Sequence, residues 1–160
     1  MSKLKIQNTL ENTKEEFIPV DPSNVRIYAC GPTVYDYAHI GNARMAVVND
    51  LLVRLLRTLF PKVTYVSNIT DIDDKIIEAA QTADMPFQEL TLKFEAIYNE
   101  DMAALGVHRP DVQPRATDHI AEMITLTKTL VKLGHAYEKK GHVLFHVPSF
   151  EKYGCLSGRN

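Results

Sequence analysis

The chain has 160 residues, of which 45% are hydrophobic and 24% charged, and its formal net charge at neutral pH is −2. Such a composition is typical of one globular domain, or of one domain and the start of another. Because the chain as a whole is slightly negative, its net charge does not attract nucleic acid. Any RNA contact therefore requires a local basic patch or residues outside this chain. The sequence shows neither a signal-peptide core nor an apolar stretch of about 18 residues, which predicts no membrane span. The two cysteines lie far apart in the sequence, as is typical of the reducing cytoplasm, where we expect the protein to reside.

The first third of the chain alternates between strand and helix patterns. Residues 3–24 predict an extended segment or a loose hairpin, and the apolar run Val25–Ala29 predicts the first core strand. Apolar residues then recur at helical spacing until Pro61 ends the hydrogen-bond ladder. The predicted apolar face of this helix consists of Val48, Leu51, Leu52, Leu55, Leu56 and Leu59. The β-branched run at residues 63–66 predicts a second strand, parallel to the first because a helix connects them.

A cluster of three carboxylates follows the second strand. Thr70 has the position of an N-cap for a short helix that runs to about Ala83. Asp71, Asp73 and Asp74 would lie in its first turn and complement the helix dipole. We favour this interpretation over a Mg²⁺ site made of the same carboxylates.

Two further helices are predicted, separated by a linker. Pro86 starts the first and Gly106 ends it, after which Val107–Pro114 has the composition of a linker that crosses between layers. Thr117, or the aspartate after it, would cap the second helix, which runs through Leu133. The predicted inner faces consist of Phe87, Leu90, Phe94, Ile97 and Leu105 in the first helix and of Ile120, Ile124, Thr127 and Val131 in the second.

The last part of the chain carries a hairpin pattern. Residues 136–138 and 143–146 are strand-like and flank the turn Lys139-Lys140-Gly141. Residues 153–160 show no terminating pattern. We therefore expect the chain to be part of a longer protein.

Residues 30–44 organise the chemistry, because they join the first strand to the first helix through a glycine-containing loop. A helix N-terminus presents unpaired N–H groups and a partial positive charge to an anion. Gly41 would allow the backbone to approach a ligand closely. Cys30 would lie at the carboxyl end of the strand, where ligands of open α/β sheets bind.

These residues resemble a known family. Cys30-Gly31-Pro32-Thr33 leading to His39-Ile40-Gly41-Asn42 is similar to the signature of cysteinyl-tRNA synthetase, a class I aminoacyl-tRNA synthetase. Asparagine stands in place of the second histidine of the family's HIGH element. Two later stretches, Asn68–Lys75 and Arg109–Ile120, match in the same order. The resemblance spans the whole chain.

The resemblance implies an α/β fold with two parts. Residues 1–106 would form the first half of a Rossmann-like nucleotide-binding domain, with a parallel sheet and flanking helices. Residues 107–160 would start a connective insertion, a helix plus a hairpin, that is truncated at its end. The family's lysine-rich KMSKS loop and its helical anticodon-binding region have no counterpart in this sequence. We therefore expect the isolated chain to be inactive.

His39 and Asn42 are the predicted catalytic residues. In amino-acid activation a carboxylate, already ionised, attacks the α-phosphorus of ATP, so the protein must supply position and donors for charge on the phosphate oxygens. Two donors three residues apart at a helix start suit that task, and with Gly41 they form the predicted site for ATP, which enters with Mg. The resemblance gives this role to His39. On the residues alone, the favoured interpretation makes His39 a helix N-terminal residue and Asn42 an N-cap.

Cys30 is the predicted metal ligand. A zinc ion held by a thiolate and left with an open position can bind a second thiolate, which would select L-cysteine over serine. The resemblance implies one zinc per subunit, with a cysteine, a histidine and a glutamate outside this chain as the other ligands. It also implies that Gly31, Thr33 and Thr70 contact the substrate cysteine.

The favoured interpretation is a fragment of a cysteine–tRNA ligase, which forms cysteinyl-adenylate and transfers cysteine to tRNA(Cys). Three alternatives remain: a cysteine ligase of the mycothiol pathway, a small HxGH nucleotidyltransferase, and a non-catalytic truncated paralogue that acts as a nucleotide-binding or interaction module. Half of a sheet would expose an apolar edge, so we also expect the fragment to self-associate.

Overall fold

The computed structural model describes residues 4–158, whose contacts separate into two compact units. One unit runs from Pro19 to His119, and the other combines residues 4–18 with residues 120–158. Residues 107–119 belong to the same unit as the two predicted core strands. The functional division into 1–106 and 107–160 stays a prediction. None of the helices in the described part of the chain is long and apolar enough to cross a bilayer.

The elements alternate between strands and helices. In chain order they are β1 (Lys5–Asn8), β2 (Thr13–Glu16), β3 (Val25–Ala29), α1 (Ile40–Leu59), β4 (Val63–Ser67), α2 (Asp74–Thr82), α3 (Phe87–Ala104), α4 (Ile120–Lys132), β5 (Ala136–Lys139) and β6 (His142–Phe145). Two short 3₁₀ helices, Ala116–His119 and Val147–Ser149, complete the described chain.

In the unit from Pro19 to His119, β3 and β4 pair in parallel. Their register runs from Val25 opposite Val63 to Ala29 opposite Ser67, and α1 connects them. The predicted strand–helix–strand unit is therefore confirmed. Because the strands are parallel, both of their carboxyl ends lie at the same edge.

The segment after α3 is not the linker that its prolines predicted. It runs alongside β4 through a parallel bridge from Val66 to Val112, and alongside the residues after β4 through one from Ile69 to Arg115. It forms isolated bridges because Pro110 and Pro114 have no N–H group to donate to a regular ladder. β4 therefore lies between β3 and this third extended segment.

Two ion pairs of α1 contribute to fixing that segment. The Arg57 guanidinium is 2.9 and 3.0 Å from the two carboxylate oxygens of Asp111. Arg54 pairs with Asp50 at 2.7 Å and also donates to the carbonyl of Gly106. Arg54 and Arg57 thus contact the chain that leaves α3.

The buried face of α1 differs from the predicted leucine face. Only Leu56 of the predicted set is buried, together with Ala46, Asp50 and Val53. The exposed apolar residues of α1 include Val48, Leu51, Leu55 and Leu59. The apolar spacing predicted the helix correctly. It did not identify the buried face, because apolar residues at helical spacing lie on more than one face of α1.

The core of this unit joins loops to helices. It contains Val34 and Ile69, from the loops after β3 and β4, and it is completed by Ile76, Ala80, Leu90 and Phe94 of α2 and α3. Leu90 and Phe94 were predicted on the inner face of α3, whereas Leu105 is exposed. The loops after the two strands are therefore anchored in the core.

The short helix α2 begins later than predicted. Its N-cap is Asp73, whose side chain accepts a hydrogen bond from the amide of Lys75. The N-cap assigned to Thr70 was wrong, because Thr70 is paired with Thr33 in a parallel bridge. Of the three carboxylates, Asp73 and Asp74 lie at the helix start, but Asp71 is buried outside the helix.

The second unit contains two antiparallel hairpins and α4. β5 pairs with β6, as the hairpin pattern predicted. β1 pairs with β2, so the stretch predicted as an extended segment or a loose hairpin contains a hairpin. The bounds of α4 agree with the predicted helix, but none of its residues is buried. Of the predicted inner face, Ile120, Ile124 and Val131 are exposed and Thr127 is half-buried in the described part of this chain.

Candidate functional site

A cleft of about 550 Å³ opens at the carboxyl edge of the parallel strand pair. Six of the seven predicted site residues line it: Cys30, Gly31, Thr33, His39, Gly41 and Asn42. Pro32, Tyr35, Asp36, Met45, Asp73 and Lys75 complete its lining. The seventh, Thr70, is not among the lining residues but is bridged to Thr33, which is.

His39 is the N-cap of α1. Its Nδ1 accepts a hydrogen bond of 2.9 Å from the amide of Gly41, and its extended backbone is that of a cap residue. Because Nδ1 is the acceptor, the proton of the neutral ring lies on Nε2. The exposed ring can therefore still donate through Nε2 to a ligand in the cleft.

Asn42 is not the N-cap, as one interpretation of the sequence had it, but the third residue of the helix. Its Oδ1 accepts from the amide of His39 at 3.1 Å, which completes a capping box. Its NH₂ group is then the part of the side chain that remains to donate to a ligand.

The absence of a side chain at Gly41 allows the ring of His39 to lie close to its backbone. A Cβ added to Gly41 would lie 2.6 Å from Cε1 and 2.9 Å from Nδ1 of the His39 ring. A glycine at this position therefore lets the histidine ring fold onto the helix N-terminus. The approach of a ligand to the Gly41 backbone stays a prediction.

Gly31 is required where the loops after β3 and β4 touch. A Cβ on Gly31 would lie 1.6 Å from the backbone carbonyl oxygen of Asn68. The amide of Gly31 also donates to Oδ1 of Asn68 at 2.9 Å. This N–H group is therefore already used, and a substrate contact by Gly31 would have to come from its carbonyl group.

Cys30 is exposed at the end of β3, and its thiol lies 3.9 Å from the carbonyl oxygen of Gly31. Cys155 is also exposed, and neither forms a disulfide. In residues 4–158 no group of three or more His, Cys, Asp or Glu side chains is arranged to hold a metal ion. The thiolate chemistry of Cys30 fits zinc, but the described residues offer one ligand and not a set.

The second loop is fixed by Asp71. This buried carboxylate accepts from the Thr117 amide at 3.0 Å and from its hydroxyl at 2.5 Å. The neighbouring ion pair of Arg115 and Glu95, at 2.6 Å, connects the same segment to α3. Two stretches that are distant in the sequence, Asn68–Lys75 and Arg109–Ile120, are therefore joined through Asp71 and Thr117.

Lys75 and Asp36 are cleft residues that the sequence did not assign to the site. The place of Lys75 in the cleft could have been predicted from the parallel strands, since the segment after β4 must emerge at the same edge as the loop after β3.

The sequence matches one protein family over most of its length. The family model described as the catalytic domain of class I (C) tRNA synthetases matches residues 16–160. The chain is also 57% identical to the cysteine–tRNA ligase of Rhodospirillum rubrum over 157 residues, which are 98% of this chain and 34% of that protein.

Relatives from other bacteria give the same result. The cysteine–tRNA ligases of Rhodospirillum centenum and Ehrlichia ruminantium are 55% and 51% identical, over 98% and 97% of this chain and 34% of each relative. The chain thus spans about a third of the length of the curated relatives it matches. Its sequence from residue 16 onward, which includes the whole cleft, places this α/β chain in the family of class I (C) tRNA synthetase catalytic domains.

Proposed function

We propose that this chain carries part of the adenylate-forming centre of a cysteine–tRNA ligase. The observation that carries the proposal is a single cleft that contains the Cys30 thiol at a strand end and His39 and Asn42 at the next helix start. Such an edge, with a helix N-terminus beside it, suits the binding of a nucleotide phosphate. We also propose that β3 and β4 belong to a larger Rossmann-like parallel sheet.

In the proposed first step, a carboxylate oxygen of L-cysteine attacks the α-phosphorus of ATP. A bond forms between these atoms, the bond from the α-phosphorus to the bridging oxygen breaks, and pyrophosphate leaves with its Mg. The Nε2–H of His39 and the NH₂ group of Asn42 would donate to the oxygens on which charge accumulates. The orientation of both donors is supported by the capping box, which uses the opposite side of each group.

In the proposed second step, a hydroxyl of the 3′-terminal ribose of tRNA(Cys) attacks the cysteinyl carbonyl carbon. An ester bond forms, the bond from that carbon to the phosphate oxygen breaks, AMP leaves, and the hydroxyl proton is released to solvent. The contacts to tRNA are not assigned to residues of this chain. A cytoplasmic location and self-association of the isolated chain stay predictions of this proposal.

Cys30 is the residue of this chain that would ligate zinc, with its remaining ligands outside the described residues. When bound, zinc supplies a Lewis acid that prefers a thiolate to a protonated hydroxyl, and thus cysteine to serine. The exposure of Cys30 and its place in the cleft support this role. Thr33, Thr70 and Gly31 would contact the substrate beside it.

The test is pyrophosphate exchange by the full-length protein with L-cysteine or L-serine. We expect exchange with cysteine only, and no exchange from the isolated 160-residue chain. His39→Ala should lower the maximal rate with little change in the KM for cysteine.

His39→Asn is the matched control, because asparagine also caps a helix but lacks the imidazole donor. It should restore the stability that His39→Ala loses without restoring the rate. Full activity of His39→Ala would remove His39 from the mechanism. Absence of any cysteine-dependent exchange in the full-length protein would contradict the proposed function itself.

A further inference from the structure

The side-chain amide of Asn68 lies between the two loops at the strand ends. Its Oδ1 is 2.9 Å from the amide nitrogen of Gly31, and its Nδ2 is 3.1 Å from Oγ1 of Thr70. Asn68 thus connects the loop after β3 to the first residues after β4. Neither the sequence patterns nor the proposed function gave this residue a role.

The two contacts fix which way the amide points. The backbone N–H of Gly31 can only donate, so the atom of Asn68 that faces it must be the oxygen. The NH₂ group of Asn68 therefore faces Thr70 and can only donate. Oγ1 of Thr70 is consequently the acceptor in this pair.

An accepting hydroxyl keeps its own proton for another partner. Within residues 4–158, the Thr70 hydroxyl proton meets no acceptor. The position of Thr70 is fixed by its backbone, since its amide donates to Pro32 at 2.9 Å and its carbonyl accepts from Val34 at 3.2 Å. The adjacent Ile69 is fully buried, so the backbone that carries this hydroxyl is anchored in the core.

We propose that Asn68 is a positioning residue that makes the Thr70 hydroxyl a hydrogen-bond donor toward an anionic group of the substrate amino acid. This inference rests on the proposed function, which brings cysteine to Thr70 and to Thr33 beside it. Cysteine offers two such groups, its carboxylate and its thiolate. Asn68 acts through the polarity of Thr70 and does not touch the substrate.

Asn68→Asp tests the polarity with almost no change in shape. A carboxylate still accepts from the Gly31 amide, but it also accepts from Thr70 and so captures the hydroxyl proton. We expect the KM for cysteine in pyrophosphate exchange to rise about tenfold or more, as the loss of a hydrogen bond to a charged group implies. Thr70→Val should give a similar rise, while the KM for ATP stays within about twofold of the unmodified protein in both variants. Thr70→Ser, which keeps the hydroxyl, should raise the KM for cysteine less than Thr70→Val does.

The double variant Asn68→Asp/Thr70→Val distinguishes two causes of a raised KM. One is the reversed hydrogen bond between Asn68 and Thr70, and the other is repulsion of the substrate by the new negative charge. If Asn68 acts through Thr70, Asn68→Asp adds little to the KM of Thr70→Val. An equal further rise in the Thr70→Val background would overturn the inference in favour of simple charge repulsion. Calorimetric titration of each variant with a non-reactive cysteinyl-adenylate analogue should show the same pattern, and thermal unfolding checks that each is folded.

The remaining outcomes distinguish this inference from the proposed function. A cysteine KM that rises in Thr70→Val but not in Asn68→Asp would overturn the role of Asn68 alone. An unchanged KM in Thr70→Val would remove Thr70 from the proposed substrate contacts, and with it the inference. Cysteamine, which lacks the carboxylate, identifies the acceptor: its inhibition constant should rise in Thr70→Val only if the thiolate is the acceptor.

Discussion

The two segments that leave the parallel strands differ in what they expose. The loop after β3 presents Cys30 and His39 to solvent at the cleft, and both carry reactive side chains. The segment after β4 instead buries Ile69 and Asp71 and uses Asn68 to contact the first loop. One segment therefore carries groups that can act on a ligand, and the other determines where those groups lie.

The difference explains which signals were visible in the sequence. Reactive residues next to a glycine and a helix start form a local pattern, so residues 30–44 could be interpreted directly. Supporting residues depend on contacts between distant positions, such as Asp71 with Thr117 or Gly31 with Asn68. No local pattern carries that information.

The largest effect is expected where the two segments touch. Gly31→Ala would place a Cβ 1.6 Å from the backbone carbonyl oxygen of Asn68, so the backbone of one of the two loops must shift. We expect the free energy of unfolding to fall by about 3 kcal/mol or more, measured by urea denaturation of the chain.

Gly41→Ala is the matched control for that substitution. Its Cβ would meet only the His39 side chain, which can rotate away at the cost of its cap, about 1 kcal/mol. In a His39→Ala background this cost should disappear. Equal losses for the two glycine substitutions would contradict the close packing of the loops.

A smaller effect should follow removal of the buried carboxylate in the supporting segment. Asp71→Ala deletes two hydrogen bonds to Thr117 from a buried acceptor, which should lower the free energy of unfolding by about 2 to 3 kcal/mol. The control is Asp74→Ala in the exposed first turn of α2, with an expected loss below about 1 kcal/mol. Similar losses at both positions would mean that Asp71 only complements the helix dipole.

The reactive segment should contribute less to stability than the supporting one. His39→Ala removes a helix cap and should lower the free energy of unfolding by about 1 kcal/mol, whereas His39→Asn should restore most of it. Urea denaturation of both variants is the measurement. No difference between alanine and asparagine would show that the bond from Gly41 to the ring is not a stabilising cap.

The smallest effect on stability is expected from two tyrosines, one in β4 and one in α3. Burial raises the pKa of Tyr65 in β4 and of Tyr98 in α3 above the ordinary tyrosine value. The unfolded chain therefore releases these protons first, and stability should fall as the pH rises above about 10. Tyr98→Phe should reduce this decline while leaving stability at neutral pH nearly unchanged, as thermal unfolding across pH would reveal. An unaltered alkaline decline would contradict the burial of this hydroxyl.

Much of the fold could be predicted from local patterns. The strand Val25–Ala29, the end of α1 before Pro61 and the hairpin β5–β6 all agree with the sequence. The N-cap of α2 could not be identified, because Thr70 and Asp73 are both good caps and tertiary pairing with Thr33 decided between them.

The sequence predicted the residues that line the cleft but not the contacts that hold the two loops together. Cys30, His39 and Asn42 do line one cleft, but their roles in binding stay predictions. The use of the Gly31 amide by Asn68 was not foreseen, since it depends on a side chain from the other loop. Similarly, residues 111–116 pair with β4 and the residues after it, but the prolines of this segment are typical of a linker and predicted no pairing.

We propose that the Cys30 thiol at the tip of β3 recognises the substrate through its sulfur while the neighbouring helix start binds the nucleotide. The most direct measurement is cysteine-dependent pyrophosphate exchange by the full-length Cys30→Ser protein, together with its binding of ATP. We expect exchange to be lost while ATP binding stays near that of the unmodified protein. Normal exchange by Cys30→Ser would contradict it.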